Sequence, residues 1–110
     1  MFQSLKDALL SVSLKTYRGF APSGERPPYI VWDDDGTNSI LSGDGKAKIQ
    51  VREGTIDLFT RKDDDPLFNQ IQKALNNAGI TFQYKSKQDE EDTGIIHYEW
   101  VWGIPVPVEV

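Results

Sequence analysis

The strongest constraint on this chain is the run from Gly54 to Ile104, where a strand pattern, a bounded helix and two more strand patterns follow one another. Ile56, Leu58 and Thr60 alternate with Asp57, Phe59 and Arg61, the period-two signature of a strand with unlike faces. The pattern breaks at Lys62-Asp63-Asp64-Asp65-Pro66. Asp65 has the chemistry of an N-cap, because its carboxylate accepts from free backbone N–H groups. Pro66 at the first helical position lacks only a donor that would be orphaned anyway. Leu67, Phe68, Ile71, Ala74, Leu75 and Ala78 then recur at helical spacing, and Asn77 or Gly79 supplies a left-handed stop. Strands follow from Ile80 to about Lys87 and from Ile95 to Ile104. In the last one Ile96, Tyr98, Trp100, Trp102 and Ile104 share a face that Phe82 and Tyr84 pair with.

Upstream, Phe2, Leu5, Ala8, Leu9 and Val12 form the stripe of a first helix over 2–12. Lys15 to Phe20 reads as a short strand, Ala21 to Pro28 as a proline-rich loop, and Tyr29-Ile30-Val31-Trp32 as a buried strand. Asp35-Gly36 and Gly43-Asp44-Gly45 are turn signals. Between Ala47 and Arg61 the apolar phase changes from odd (Ile49, Val51) to even (Ile56, Leu58), which predicts a bulge at Glu53-Gly54. Pro105-Val106-Pro107-Val108-Glu109-Val110 reads as an extended arm, since proline interrupts a ladder. The expectation is one α+β domain over 1–110. A mixed or antiparallel sheet of four to five strands carries two amphipathic helices on one face, in the order α-β-β-β-α-β-β.

Composition removes several function classes. There is no cysteine, so disulfides and thiolate zinc sites are excluded. A net charge of −5 with scattered basic residues argues against a nucleic-acid-binding face. No apolar run is long enough to span a bilayer, and the start lacks a signal-peptide core, so the expected location is the cytoplasm.

Three acidic runs, Asp33-Asp34-Asp35, Asp63-Asp64-Asp65 and Asp89-Glu90-Glu91-Asp92, raise a metal hypothesis. None has the spaced ligands and pivoting glycine of a hard-cation loop, so turn, cap and solubility roles are favoured. His97, the sole histidine, has Ile95 and Glu99 as same-face strand neighbours and reads as a solvated surface group rather than a catalyst. Trp32, Tyr84, Tyr98, Trp100 and Trp102 offer either a ligand-stacking platform or a core beneath the helices, and two helices in need of an apolar face favour the core. No catalytic residue, metal ligand or cofactor-binding residue emerges.

Several segments in order, Pro27-Pro28-Tyr29-Ile30-Val31-Trp32, Ser42-Gly43-Asp44-Gly45-Lys46, Gly54 through Thr60, the acidic helix start, Asn77-Ala78-Gly79-Ile80 and Tyr98-Glu99-Trp100, resemble small tail proteins of tailed bacteriophages and prophages. These are the tail-terminator or tail-completion proteins of siphophages and myophages of Gram-positive hosts, and the resemblance covers about residues 14–104. It implies a structural protein without catalytic residues, assembled as a hexameric ring on the head-proximal end of the tail tube. Its implied partners are its own copies, the tube protein and the head–tail connector or stopper. Genome DNA would pass through unbound, no membrane is involved, and the location is the host cytoplasm during assembly and then the virion neck. The chain departs from the family in a shortened second strand followed by the Asp33-Asp34-Asp35 loop. Physical reasoning about ring contacts selects the Asp33–Lys46 loop, the expected bulge and the arm: Asp33, Asp34, Asp35, Ser42, Asp44, Lys46, Glu53, Pro105 and Val106. The alternatives are another head–tail joining, neck or minor tail protein, a small ligand-binding module using the aromatic strand face, and a metal-dependent enzyme on the aspartate runs.

Overall fold

Two helices and five strands follow one another in the expected order. The computed structural model describes residues 2–43 and 46–107, with the backbone alone over 37–43 and 46–48. The elements are α1 (Gln3–Val12), β1 (Thr16–Arg18), β2 (Tyr29–Gly43), β3 (Lys46–Thr60), α2 (Leu67–Asn77), β4 (Thr81–Asp89) and β5 (Ile96–Pro107). The strands form one mixed sheet in the order β1-β2-β3-β5-β4. Among the described residues β1 and β2 pair in parallel, and the other neighbours run antiparallel.

Helix α2 shows how local chemistry sets a boundary. Pro66 already has helical dihedrals, and Oδ1 of Asp65 accepts from the N–H of Leu67 at 2.9 Å. The same buried carboxylate accepts from the Thr60 hydroxyl at 2.6 Å, tying the helix start to the end of β3. At the other end Gly79 takes φ +71°, and the N–H of Ile80 reaches back to the carbonyl of Leu75 at 2.9 Å. That is a Schellman stop, with Gly79 rather than Asn77 as its left-handed residue.

Both helices cover one face of the sheet. Leu5, Leu9, Ile71 and Leu75 pack on Ile30, Trp32, Ile56, Leu58, Ile96, Tyr98, Trp100 and Trp102 in a single cluster. Each large apolar side chain fully removed from water there stabilises the fold by about 1.5 to 3 kcal/mol. Gln72 accepts the indole N–H of Trp100 at 3.1 Å, and the Thr55 carbonyl accepts that of Trp102 at 3.1 Å. The aromatic strand face is therefore core and offers no open platform; only Tyr84 of that set is exposed.

Three sequence expectations are corrected. First, β2 is not cut short before its aspartates: it runs fifteen residues and pairs with β3 along its length. Asp35-Gly36 makes a local turn, with the Gly36 N–H donating to Oδ1 of Asp34 at 2.9 Å and φ of +78°. That turn is absorbed as a bulge inside β2, between the pairs Asp34↔Gly54 and Asn38↔Arg52. Second, the bulge lies on β2 and not at Glu53-Gly54. Strand β3 keeps one register with β5 from Ile49↔Pro107 to Thr60↔Ile96. Its alternation is unbroken, so Val51 and the exposed Ile49 lie on the face away from the helices. Gly54 is needed for a different reason. A Cβ there would sit 2.0 Å from the Asp33 carbonyl oxygen and 2.6 Å from the Trp102 ring.

Third, Pro105, Val106 and Pro107 are not a free arm. They extend β5 against β3, with Pro105 opposite Val51 and Pro107 opposite Ile49. Strand β4 has already ended, at Thr81 opposite Gly103, so among the described residues no strand pairs with that side of β5 there. Alternate residues aim their nitrogens to the same side, so two prolines two apart turn their missing donors to that open side and leave the β3 ladder intact.

Three expectations follow for stability, all read by urea denaturation. Asp65→Ala removes the cap and strands the Thr60 hydroxyl, costing about 1 to 3 kcal/mol, whereas Asp65→Asn retains most of it. Gly54→Ala costs about 3 kcal/mol or more because neither the carbonyl nor the indole has room to retreat. The exposed Gly79→Ala meets no atom and costs about 1 to 2 kcal/mol from its backbone conformation alone.

Candidate functional site

The residues selected from sequence are gathered on the β2–β3 hairpin and the adjoining end of β5. Past Trp102 the helix-covered sheet narrows to β2, β3 and β5, then to the hairpin alone, and the molecule measures 52 × 25 × 25 Å. Asp33 lies beside Arg18, with Nε 3.5 Å from its Oδ1. Asp34 is half-buried and accepts from Nη2 of Arg52 at 2.6 Å. Asp35 sits on the bulge, Glu53 opposite Gly103, and Ser42 and Lys46 pair with Ala47 and Gly43 near the hairpin's end. Asp44 lies outside the described residues. Asp33 and Asp34 thus serve as ion-pair partners, and among the described residues no three metal-capable side chains converge.

The sheet face away from the helices carries a second constellation. Tyr29, Phe59 and His97 stack in a row across β2, β3 and β5, with centroids 4.9 and 4.4 Å apart. His97 is not the solvated group expected beside Glu99. It is half-buried, and Nε2 lies 2.6 Å from Oδ1 of Asp57, forty residues away in sequence. The Asp57 hydrogen bond holds the imidazole pKa above its ordinary value, against the cost of burial. At the edge of this face the Tyr17 hydroxyl donates to Glu25, which also receives Lys15 at 3.2 Å. The Tyr17 contact is the main cause of a lowered Glu25 pKa and a raised Tyr17 pKa. These contacts fasten the proline-rich loop across β1.

Sequence reasoning missed a third feature, an open cleft of about 1020 Å³ where α1 meets β1. Phe2, Lys6, Arg18, Phe20, Trp32 and Arg52 line it, and among the described residues no carboxylate does. The Arg18 guanidinium lies over Trp32 and Phe2, 4.9 and 5.5 Å from their ring centres. Arg52 lies 6.0 Å from the Phe2 ring, and its Nε is buried without an acceptor. Phe20 stands 81% exposed at the rim. These residues come from α1, β1, β2, β3 and a loop, so no local motif announces them.

The described surface thus combines a projecting hairpin, an uncovered acidic and aromatic sheet face, and a cationic cleft, on an α+β fold with free edges at β1 and β4. No protein-family model and no curated protein sequence matches the chain. Among solved structures, the fold is similar to that of a chain from the virion of a native gene transfer agent particle. The TM-score is 0.58 at 14% identity, over 97% of this chain and 91% of that one. Two H-NOX structures, one of them from T. tengcongensis, align at TM-scores of 0.40 with 10% and 11% identity. They cover 96% and 99% of this chain but only 47% and 48% of theirs, too partial a likeness to bear on fold or use.

The raised His97 pKa sets a pH dependence. The stability that protonated His97 draws from Asp57 is fully present below the unfolded-state value of about 6.5 and is lost as pH rises through the higher folded value. The stability gap between the native chain and His97→Gln should therefore be largest below about pH 6.5 and narrow as the pH is raised above it in urea melts. A gap that stays constant would show that the ion pair contributes nothing.

Proposed function

We propose that this chain is a structural component of a phage-type particle, a tail-terminator or tail-completion protein acting as a ring. The observation that carries the reading is the end-to-end correspondence with a virion chain, nearly complete for both proteins. The physical features agree with it. The residues best placed for chemistry are used up in structure: Asp34 in an ion pair, Asp65 in a cap, His97 in a stack, and the tryptophans in the core. Work by geometry rather than catalysis is what such a surface suits.

A ring subunit needs two unlike surfaces that close under rotation. The two sheet edges, the projecting hairpin and the uncovered face supply them. In this reading the ring is a hexamer. It caps the head-proximal end of the tail tube, stops its growth, and presents its other rim to the connector or stopper at the neck of the virion. A subunit of net charge −5 also suits a conduit through which DNA slides without being held. A lumen lined by lysine and arginine would count against that last point.

Native mass spectrometry of the 12.4 kDa chain, alone and with short tubes of its cognate tube protein, tests the proposal. The expected result is a hexamer, alone or on tube ends, and tube lengths that stop increasing when the chain is added. Binding to the connector without any effect on tube length would instead identify another neck component. A chain that stays monomeric and leaves tubes growing would end the proposal.

A further inference from the structure

The cationic cleft and the acidic β4–β5 turn belong to opposite edges of the sheet, and each has the shape and charge that the other lacks. We infer that the cleft of one copy receives the Asp89-Glu90-Glu91-Asp92 turn of a second copy. This rests on the ring reading and names the contact that closes the ring.

The cleft is concave, aromatic and free of carboxylates in its lining. Its cations are held in place before any partner arrives: Arg18 lies over Trp32 and Phe2, and Arg52 is fixed by Asp34. Asp33 and Asp34 offset part of that charge from outside the lining. The remaining guanidinium donors of Arg18 and the ammonium of Lys6 are what an incoming carboxylate meets. Phe20 at the rim adds apolar surface that a partner would cover.

The turn is convex and also preformed. The Glu90 N–H donates to the Ile95 carbonyl at 2.8 Å, and the Gly94 N–H donates to the Glu90 carbonyl at 2.9 Å. The Thr93 hydroxyl donates to Glu90 at 3.1 Å, and Arg61 at the end of β3 donates to the Thr93 carbonyl. Four consecutive exposed acidic residues are thus carried on a braced support. The sheet order puts β1 at one edge and β4 at the other, so turn-into-cleft contact is head to tail and leaves each copy with one unused half until the ring closes. Little loop ordering is needed at either half, so less of the electrostatic gain is lost on binding.

Charge reversal with compensation tests the contact. Sedimentation and native mass spectrometry compare the native chain, Lys6→Glu with Arg18→Glu, Glu91→Lys with Asp92→Lys, and all four changes together. Circular dichroism checks that each variant is folded, and Lys6→Gln with Arg18→Gln serves as a milder cleft variant. Each pair should weaken association about tenfold or more, the combination should recover most of the loss, and raising salt from about 0.05 M to about 0.5 M should weaken the native assembly. Rings indifferent to all four charges would overturn this inference and leave the ring reading standing. Cleft variants that still self-associate but no longer cap tubes would assign the cleft to the tube protein and equally overturn it. A native chain that never associates, alone or on tubes, would remove both.

Discussion

The indole of Trp102 is the contact on which the rest of the structure depends. It lies against Gly54 on the neighbouring strand and donates its N–H to the Thr55 carbonyl. It also makes a T-shaped contact with Phe2 at 5.3 Å between ring centres. One side chain thus joins β5, β3 and the start of α1 at the level where the helix-covered sheet gives way to the projecting hairpin. A rigid junction there lets a long hairpin leave the core without a layer of its own. Close packing of this kind resists even small changes in volume, which is why the position opposite the indole is glycine.

Much of the fold was legible where signals are local. Asp65, Pro66 and Gly79 bracket α2 because caps and stops act over a few residues. The alternation of Ile96, Tyr98, Trp100 and Trp102 fixed the buried face of β5 because side-chain direction on a strand has period two. Local signals misled where long-range pairing outweighed them. Asp35-Gly36 does make the turn its chemistry prefers, yet fifteen residues of β3 hold β2 in the ladder on both sides of it. Pro105 and Pro107 do lack donors, yet an unpartnered side of the strand accepts them. The odd phase of Ile49 and Val51 marks apolar side chains on the uncovered face, not a change of register.

The candidate surfaces divide in the same way. The hairpin residues stand out in the sequence because they form a polar, glycine-containing segment between strands. The cleft does not, because Phe2, Arg18, Trp32 and Arg52 meet only after α1 lies beside β1. Nor does the His97–Asp57 pair, which depends on the β3–β5 register. What emerges is a chain with a rigid helix-covered half and unlike surfaces at its edges and hairpin, the division that the proposed ring would use.

The prolines at the end of β5 carry a consequence for how this chain avoids edge-to-edge growth. An open strand edge is a template on which any extended segment can zip, and a protein present in many copies is exposed to that hazard at every free edge. With Pro105 and Pro107 turned outward, the end of β5 can accept hydrogen bonds but has few to give, so no further strand seats there stably. Strand-to-strand growth is thereby disfavoured at the end of β5, where the molecule is least covered.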